Sequence, residues 1–175
     1  MNIKKWRFPL IVTALYVVLA IFDLHLFQRA LNTTLNGTLE MLSVLPPIFI
    51  LLGLLDVWVP KDVMIRFMGP GSGIRGAATA FLLGSAAAGP LYGAFPVASV
   101  FMKKGAGFFN VLIFIGAWST TKIPMFLFEL QALGAPFALT RLAVNIPGIL
   151  IIAKLISSIL SREYINEIYE QASRR

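Results

Sequence analysis

The sequence of 175 residues contains no cysteine and a single histidine. The absence of cysteine excludes disulfide bonds, thiolate metal ligands and cysteine nucleophiles. The histidine, His25, stands at the end of an apolar run and cannot form a metal site by itself. The chain also lacks the H-E-x-x-H, G-x-S-x-G and G-x-x-x-x-G-K-[ST] patterns of metalloproteases, serine hydrolases and phosphate-binding loops. We therefore expect no catalytic site, no metal site and no cofactor.

Charged residues are scarce as well. They make up 13% of the chain, whereas hydrophobic residues make up 58% and the mean hydropathy is +0.81. Soluble domains have about 25% charged and about 45–50% apolar residues. The composition therefore indicates an all-α integral membrane protein, organised as one transmembrane domain over residues 1–175. The net charge of +7 comes from Lys and Arg scattered between apolar runs, which indicates topology determinants and lipid contacts rather than nucleic-acid binding.

The long apolar runs predict about five transmembrane helices, at roughly 20 residues per span. The predicted spans are residues 8–26, 41–59, 74–102, 108–133 and 137–160. The basic start MNIKKWRF resembles that of a signal peptide, but the apolar run after it is too long and no cleavage site follows. We therefore interpret this run as a retained first span.

Three segments outside the predicted spans differ in character. Residues 28–40 are polar and predict a solvated loop. Residues 61–75 predict a short interfacial helix that ends at Gly69-Pro70-Gly71. The side chains expected to face lipid from this helix are Val63, Met64, Phe67 and Met68. Residues 161–175 carry tyrosine and isoleucine at helical spacing among charges, which predicts a surface helix at the C-terminal end.

The third apolar run contains the segment GSAAAGPLYGAFP at residues 84–96. Its two prolines each remove a backbone donor and clash with the preceding turn, so an undisturbed helix cannot form. Non-helical backbone in a bilayer persists only where protein or a water-filled cavity satisfies the freed groups. A helix broken near the midplane is therefore typical of a solute or ion site. The alternative is a kinked helix that packs tightly through its small residues.

The fourth run carries Lys122 near its centre, beside Ser119, Thr120 and Thr121 and just before Pro124. A charged side chain at that depth costs at least about 2.5–3.5 kcal/mol, so it faces a bundle interior or an aqueous cavity. Pro124 frees the carbonyl near Thr120, and the neighbouring hydroxyls are expected to serve this loosened backbone. The alternative for Lys122 is a snorkelling or structurally paired lysine without a role in transport.

Other polar positions occur in or near these runs, namely Asn110, Glu129, Arg141 and Asn145. Glu129 is too far from Lys122 in sequence to be its direct helical partner. We interpret Glu129 as marking the exit from the membrane.

The two segments that carry the helix-breaking residues share the same spacing between glycines. Gly73 precedes Gly84 by eleven positions, and Gly105 precedes Gly116 by eleven. In both cases a small or polar run and a proline follow. The two segments cross the membrane in opposite directions, as the halves of an inverted repeat do.

Residues 47–107 combine a kinked span, an interfacial helix, a Gly- and Ala-rich span, a G-x-x-P-(V/L) signature and a basic, glycine-marked turn. Gly93, Pro96 and Val97 match the signature, and Lys103-Lys104-Gly105 matches the turn. This combination resembles the predicted-permease family of prokaryotic membrane proteins that includes the organoarsenical efflux permeases. The resemblance extends over about residues 46–156 and implies a permease-like core at residues 41–160.

The chain departs from the longer members of that family in two respects. Those members carry Cys-Ser-Cys where this sequence reads Pro90-Leu91-Tyr92, which argues against recognition of arsenicals or metals through thiolates. They also contain two copies of the unit, whereas this chain contains one. The resemblance therefore implies a half-size permease that works as a homodimer, with its subunits inserted in the same or in opposite orientations.

The sequence thus predicts a multi-pass permease subunit of the cytoplasmic membrane that moves a small polar or anionic solute. The expected partners are the solute or ion, membrane lipid and a second copy of the chain, with no nucleic acid. A non-transporting accessory or scaffold protein is the alternative. Glycines and prolines of the broken segment would shape the unwound backbone, Tyr92 would gate it, and Lys122 would supply positive charge. The predicted substrate-binding residues are Ser85, Gly89, Pro90, Tyr92, Gly93, Pro96, Ser119, Thr120, Thr121, Lys122 and Pro124.

Overall fold

A computed structural model describes residues 3–87 and 89–174 of the chain. It is all-helical, with 87% helix and no strand among these residues. The helices are α1 (Ile3–Phe22), α2 (Leu24–Trp58), α3 (Lys61–Met68), α4 (Gly73–Ala86), α5 (Ala94–Lys103), α6 (Phe108–Thr120), α7 (Ile123–Ala132), α8 (Ala135–Ile159) and α9 (Arg162–Arg174). One 3₁₀ turn, Leu91–Gly93, precedes α5.

The chain forms two compact units, Met1–Pro47 and Ile48–Arg175. In the first unit α1 packs against the beginning of α2 through Tyr16. The Tyr16 hydroxyl donates to the Ala30 carbonyl at 3.3 Å, and its ring meets Phe27 edge-on at 6.1 Å between centroids. Asp23 begins α2 by accepting a hydrogen bond from the Leu26 amide at 2.9 Å, as a helix N-cap does.

The prediction of a loop at residues 28–40 is wrong, because these residues lie inside the 35-residue helix α2. The threonines that suggested solvation instead bond within the helix. Thr33, Thr34 and Thr38 each donate to the carbonyl four residues earlier, at 2.9, 2.9 and 2.8 Å. Such back-bonding satisfies a hydroxyl without leaving the helix. The predicted second span is therefore the C-terminal part of α2, which continues through Pro46-Pro47.

The second unit is built around the contact between α4 and α6. Helices α5 and α8 also pack on α6, and α3 packs on α4. The most completely buried side chains include Val111, Phe114 and Trp118, all on α6. Phe114 meets Trp118 edge-on at 5.5 Å between ring centroids, and Phe101 of α5 edge-on at 4.9 Å. Aromatic rings in this arrangement attract each other beyond their burial.

Gly84 is what allows α4 and α6 to approach so closely. A Cβ atom at this position would lie 2.4 Å from the Phe114 carbonyl oxygen and 2.8 Å from the Ala117 Cβ. Small residues at such contacts let two helix backbones touch, which is the usual basis of helix packing inside membranes.

Helix α3 ends at Gly69 as predicted, where the Gly69 amide donates to the Ile65 carbonyl at 2.9 Å. The prediction that Met64 and Met68 face lipid is wrong, since they are only 4% and 1% exposed and belong to the core. Residues four apart share one face of a helix, and this face packs on α4. Val63 and Phe67 are exposed, at 38% and 48%.

Two segments are long and apolar enough to cross a membrane, Phe108–Ala132 and Ala135–Ile159, counted over the described residues. They coincide with the predicted fourth and fifth spans. The five-span expectation is therefore not confirmed. The predicted third span contains α4 and α5, of 14 and 10 residues, separated by an interruption, so neither helix has the length of a span by itself.

The predicted C-terminal helix is present as α9, and one of its faces packs on α5. Ala172 is 7% exposed, and the Tyr169 hydroxyl donates to the Ala106 carbonyl at 2.6 Å. Burial raises the pKa of Tyr169 to about 12, which keeps this hydroxyl protonated and able to donate.

We expect Gly84→Ala to lower the free energy of unfolding by about 1–3 kcal/mol, because the added methyl group overpacks the α4–α6 contact. The measurement is thermal or chemical denaturation in detergent. Gly148→Ala is the matched control, since a Cβ there meets nothing within 4 Å inside helix α8. That control should stabilise by up to about 1 kcal/mol through helix propensity. Equal changes in the free energy of unfolding for the two substitutions would contradict the close approach of α4 and α6 at Gly84.

Candidate functional site

The helix is interrupted at Gly89–Tyr92, as the sequence predicts. Helix α4 ends at Ala86, Ala87 is extended, Gly89 has a φ of +102° and Pro90 is extended at φ −70° and ψ 161°. We call Ala87, Gly89 and Pro90 the first break. Glycine adopts a positive φ without steric penalty, and proline has no amide hydrogen, so this pair leaves carbonyl groups outside any helix.

A second interruption separates α6 from α7. Thr121 and Lys122, which we call the second break, have non-helical dihedral angles of φ −124°, ψ 30° and φ −60°, ψ 136°. Pro124 follows in the first turn of α7, where its missing amide hydrogen breaks no helical hydrogen bond. The residues around Lys122 therefore interrupt the fourth apolar run as the glycine- and proline-rich segment interrupts the third.

The two breaks meet in space. The Lys122 Nζ donates to the Gly89 carbonyl at 2.6 Å, and the Trp118 Nε1 donates to the Pro90 carbonyl at 3.2 Å. The hydroxyls of Ser85 and Thr121 are 3.1 Å apart, and both side chains are buried. Side chains of α6 and the second break therefore satisfy the carbonyls that the first break leaves open.

The position of the Lys122 ammonium is electrostatically favourable. Gly89 follows the carboxyl end of α4, which is the negative end of the helix dipole. A cation at that end is stabilised, whereas the same charge in apolar surroundings would be costly. The Lys122 side chain is half-buried, so its ammonium remains within reach of a polar molecule that approaches the breaks.

The Thr120 carbonyl receives its hydrogen bond from a residue of α8. Arg141 Nη2 donates to this oxygen at 2.9 Å. The neighbouring hydroxyls do not serve it, contrary to the sequence-based expectation. Thr120 and Thr121 bond back to Gly116 and Ala117 at 3.0 and 3.1 Å, as threonines in helices commonly do. Ser119 is exposed.

Arg141 also forms an ion pair with Glu129 of α7. The Glu129 side chain is 8% exposed and that of Arg141 26% exposed. The Glu129 carboxylate is therefore turned into the protein, and the interpretation of Glu129 as marking the membrane exit stays a prediction. Pairing opposite charges reduces the cost of burying either one.

A cavity of about 10 Å³ lies beside the ion pair, close to the smallest volume that holds one water molecule. Its lining residues are Thr120, Thr121, Phe126, Glu129, Ala138, Arg141, Leu142 and Asn145. The second break, the ion pair and this cavity thus form one continuous polar region.

Six of the predicted site residues make hydrogen bonds at the two breaks, namely Ser85, Gly89, Pro90, Gly93, Thr121 and Lys122. Of the others, Thr120 lines the cavity beside the ion pair. Tyr92 is 40% exposed, and Gly93 is buried at an ordinary φ of −68°. Pro96 lines a separate groove of about 390 Å³ with Phe49, Phe95, Ser99, Val100, Lys103 and Ala172.

Three contributors to the site, Trp118, Glu129 and Arg141, were absent from the predicted set. Glu129 and Arg141 could have been found because one apolar run contains a single acidic residue and the next contains a single arginine. Since consecutive runs return antiparallel, opposite charges in them are candidates for a pair. For Trp118 the indole N–H was the signal, because a buried tryptophan usually finds an acceptor.

Among the described residues, no group of three or more His, Cys, Asp or Glu side chains is close enough to hold a metal ion. The chemistry that the site offers is therefore that of hydrogen bonds and charge. It combines an ammonium, a guanidinium and a carboxylate with carbonyl and hydroxyl oxygens at two interrupted helices.

Comparison with known proteins gives one match. The family model ArsP_1, described as a predicted permease, matches residues 26–175. No curated protein and no solved structure matches the chain. The family match extends beyond the segment on which the sequence resemblance rests and includes both breaks, the ion pair and α9.

We expect Trp118→Phe to destabilise the protein by about 0.5–1.5 kcal/mol, the net contribution of one hydrogen bond, because the Pro90 carbonyl loses the indole donor and keeps only the Gly93 amide. Hydrogen exchange should rise locally at the amides of residues 91–94, which follow the first break. Denaturation in detergent and exchange mass spectrometry measure the two effects. The matched control is Trp58→Phe, at a side chain that is 73% exposed, with an expected change within about 0.5 kcal/mol. Unchanged exchange at residues 91–94 would contradict the proposed role of the indole.

Proposed function

The chain belongs to the predicted-permease family, and from that premise we propose that it is a multi-pass permease subunit of the cytoplasmic membrane. Its solute is small and polar or anionic. The observation that carries this proposal is the 2.6 Å hydrogen bond from the Lys122 ammonium to the Gly89 carbonyl, which joins two interrupted helices.

Interrupted helices suit transport because they present backbone groups and a charged side chain to a solute inside the membrane. An anion that reaches the half-buried Lys122 competes with the Gly89 carbonyl for the ammonium protons. A charged acceptor makes the stronger hydrogen bond. Solute binding would therefore weaken the link between the breaks and let the two helical segments shift relative to each other.

We further propose that one transmembrane domain, with its core at residues 41–160, works as a homodimer. The longer permeases that this chain resembles contain two copies of the unit, so a half-size chain would supply the second copy by pairing with itself. Lys and Arg fall almost evenly on the two sides of the predicted five-span topology, which favours subunits inserted in opposite orientations. The competing arrangement is a parallel dimer with two-fold symmetry.

A scaffold function is the second candidate, and one observation favours it. The Lys122 ammonium already has a backbone acceptor within the chain, as a structural lysine would. In a scaffold the two breaks would be permanently linked and no solute would compete for the ammonium.

We expect Lys122→Met to reduce uptake of small anions into proteoliposomes by about tenfold or more. The loss of one charge-assisted hydrogen bond of about 1.5–3 kcal/mol corresponds to such a factor. The assay compares a panel of small inorganic and organic anions with the purified protein. Lys154→Met is the matched control, because Lys154 lies on the exposed side of α8 and should not affect uptake.

The stability of the Lys122 variant decides between the two candidate functions. A folded variant without uptake, beside an active control, supports the permease. Absence of solute-dependent flux in the parent protein, together with an unfolded Lys122→Met variant, would contradict transport and favour the scaffold.

The orientation of the subunits can be tested because the chain has no cysteine. Single cysteines at Arg7 and at Ser173, both exposed, report on opposite ends of the chain. We expect a membrane-impermeant thiol reagent to label a fraction of each cysteine from outside intact cells, with the remainder labelled only after permeabilisation. Strictly one-sided labelling of each position would contradict opposite insertion and support the parallel dimer.

A further inference from the structure

Among the side chains whose burial the structure describes, a set that leaves out Asp56, Glu129 is the only acidic one that is buried. It lies on α7, in an ion pair with Arg141 of α8. A permease needs a source of energy for uphill transport, and the transport described above uses neither this carboxylate nor its partner. The function of the pair is therefore open.

Arg141 connects Glu129 to the second break. The guanidinium binds the Glu129 carboxylate through Nη1 and the Thr120 carbonyl through Nη2, the latter at 2.9 Å. It also approaches the Met125 sulfur at 3.8 Å. Thr120 is the last residue of α6, so one side chain of α8 bridges the end of α6 and the middle of α7.

The bridge depends on the charge of Glu129. An arginine stays protonated at every accessible pH, whereas a carboxylate can bind a proton. Among the residues around the cavity, Arg141 and Glu129 carry charge, and Thr120, Thr121 and Asn145 are polar without titrating in this range. Lys122, the other cation at this end of α7, points to Gly89. No other titratable group that lines the cavity can substitute for Glu129.

We propose that Glu129 is the proton-binding site that couples transport to the proton gradient, an inference that rests on the proposed permease function. One proton passes from water to a Glu129 carboxylate oxygen, and no covalent bond other than this O–H bond forms. The neutral acid no longer balances the Arg141 charge, and an unpaired buried cation is costly. Arg141, already 26% exposed, moves toward solvent and releases the Thr120 carbonyl.

The charge balance assigns the direction of coupling. Protonation of Glu129 leaves the region with one more positive charge, which an anionic solute near Lys122 and Arg141 would neutralise. Proton and anion therefore bind with positive cooperativity and move in the same direction, one proton with one singly charged anion. By linkage, the anion must also strengthen proton binding.

The absence of cysteine allows this proposal to be tested by labelling. Ser85→Cys places a thiol at the contact between the breaks, where the side chain is 6% exposed. Ser119→Cys, in an exposed position, corrects for the effect of pH on thiol reactivity. The measured quantity is the ratio of the two labelling rates with a water-soluble maleimide, in detergent and without solute.

We expect this ratio to rise at least about threefold on acidification, because a proton on Glu129 removes the charge that holds Arg141 in place. In the Glu129→Gln background the ratio should be high and independent of pH, because glutamine imitates the protonated acid. Glu163→Gln, which removes an exposed carboxylate of α9, is the matched control and should behave as the parent. A ratio that does not change with pH in the parent would overturn the proposal.

A second variant covers the case in which Glu129→Gln does not fold. Glu129→Asp keeps the charge but shortens the side chain and weakens the bridge, so the labelling ratio at neutral pH should be higher than in the parent. An unchanged pH profile in this variant would also overturn the proposal.

Flux measurements separate this proposal from the function on which it rests. Anion uptake that ignores a proton gradient, with a pH-independent labelling ratio, would remove Glu129 from the mechanism and leave transport intact. A pH-dependent ratio without any anion flux would overturn the permease function and leave Glu129 as a proton-binding site.

Discussion

The constraint on which this structure depends is that backbone groups released by a helix interruption must find partners inside an apolar interior. An unsatisfied carbonyl there costs about 1–3 kcal/mol. In this structure the side-chain hydrogen-bond donors for these carbonyls come from other segments and not from the interrupted helix itself. Lys122 and Trp118 serve Gly89 and Pro90, and Arg141 serves Thr120. Each interruption is therefore stable only because other helices pack beside it.

The same contacts explain how a chain with few charges places two partly buried cations beside the interrupted helices. Arg141 is balanced by the Glu129 carboxylate, whereas Lys122 is balanced by a carbonyl at the negative end of α4. The two cations are therefore stabilised in different ways, one by an opposite charge and the other by a backbone dipole. The Arg141 contact joins two charged side chains, whereas the Lys122 contact joins a charged side chain to a backbone carbonyl.

The sequence predicted the interruptions because residues 84–96 combine proline with glycine and residues 119–124 combine proline with hydroxyl side chains and a lysine. Proline alone was not sufficient, since Pro46 and Pro47 lie inside α2 and Pro147 lies inside α8. The sequence failed where the surroundings decide the outcome. Residues 28–40 form helix because their threonines bond to their own helix, and Met64 and Met68 are buried because α4 lies against them. The partners of Glu129 and Arg141 lie twelve residues apart across a turn, a distance that hydropathy and helical spacing do not detect.

The close contact at Gly84 determines which parts of the molecule can move. Where two backbones touch without an intervening side chain, neither helix can tilt toward the other, and separation would expose a long strip of tightly packed atoms. Helices α4 and α6 therefore act as one rigid block. Helix α5 also packs on α6, through Phe101 against Phe114, so it belongs to the same block. Helix α7 packs on α8 instead and follows the second break at Thr121 and Lys122, which makes α7 the segment with the most freedom to move relative to the block.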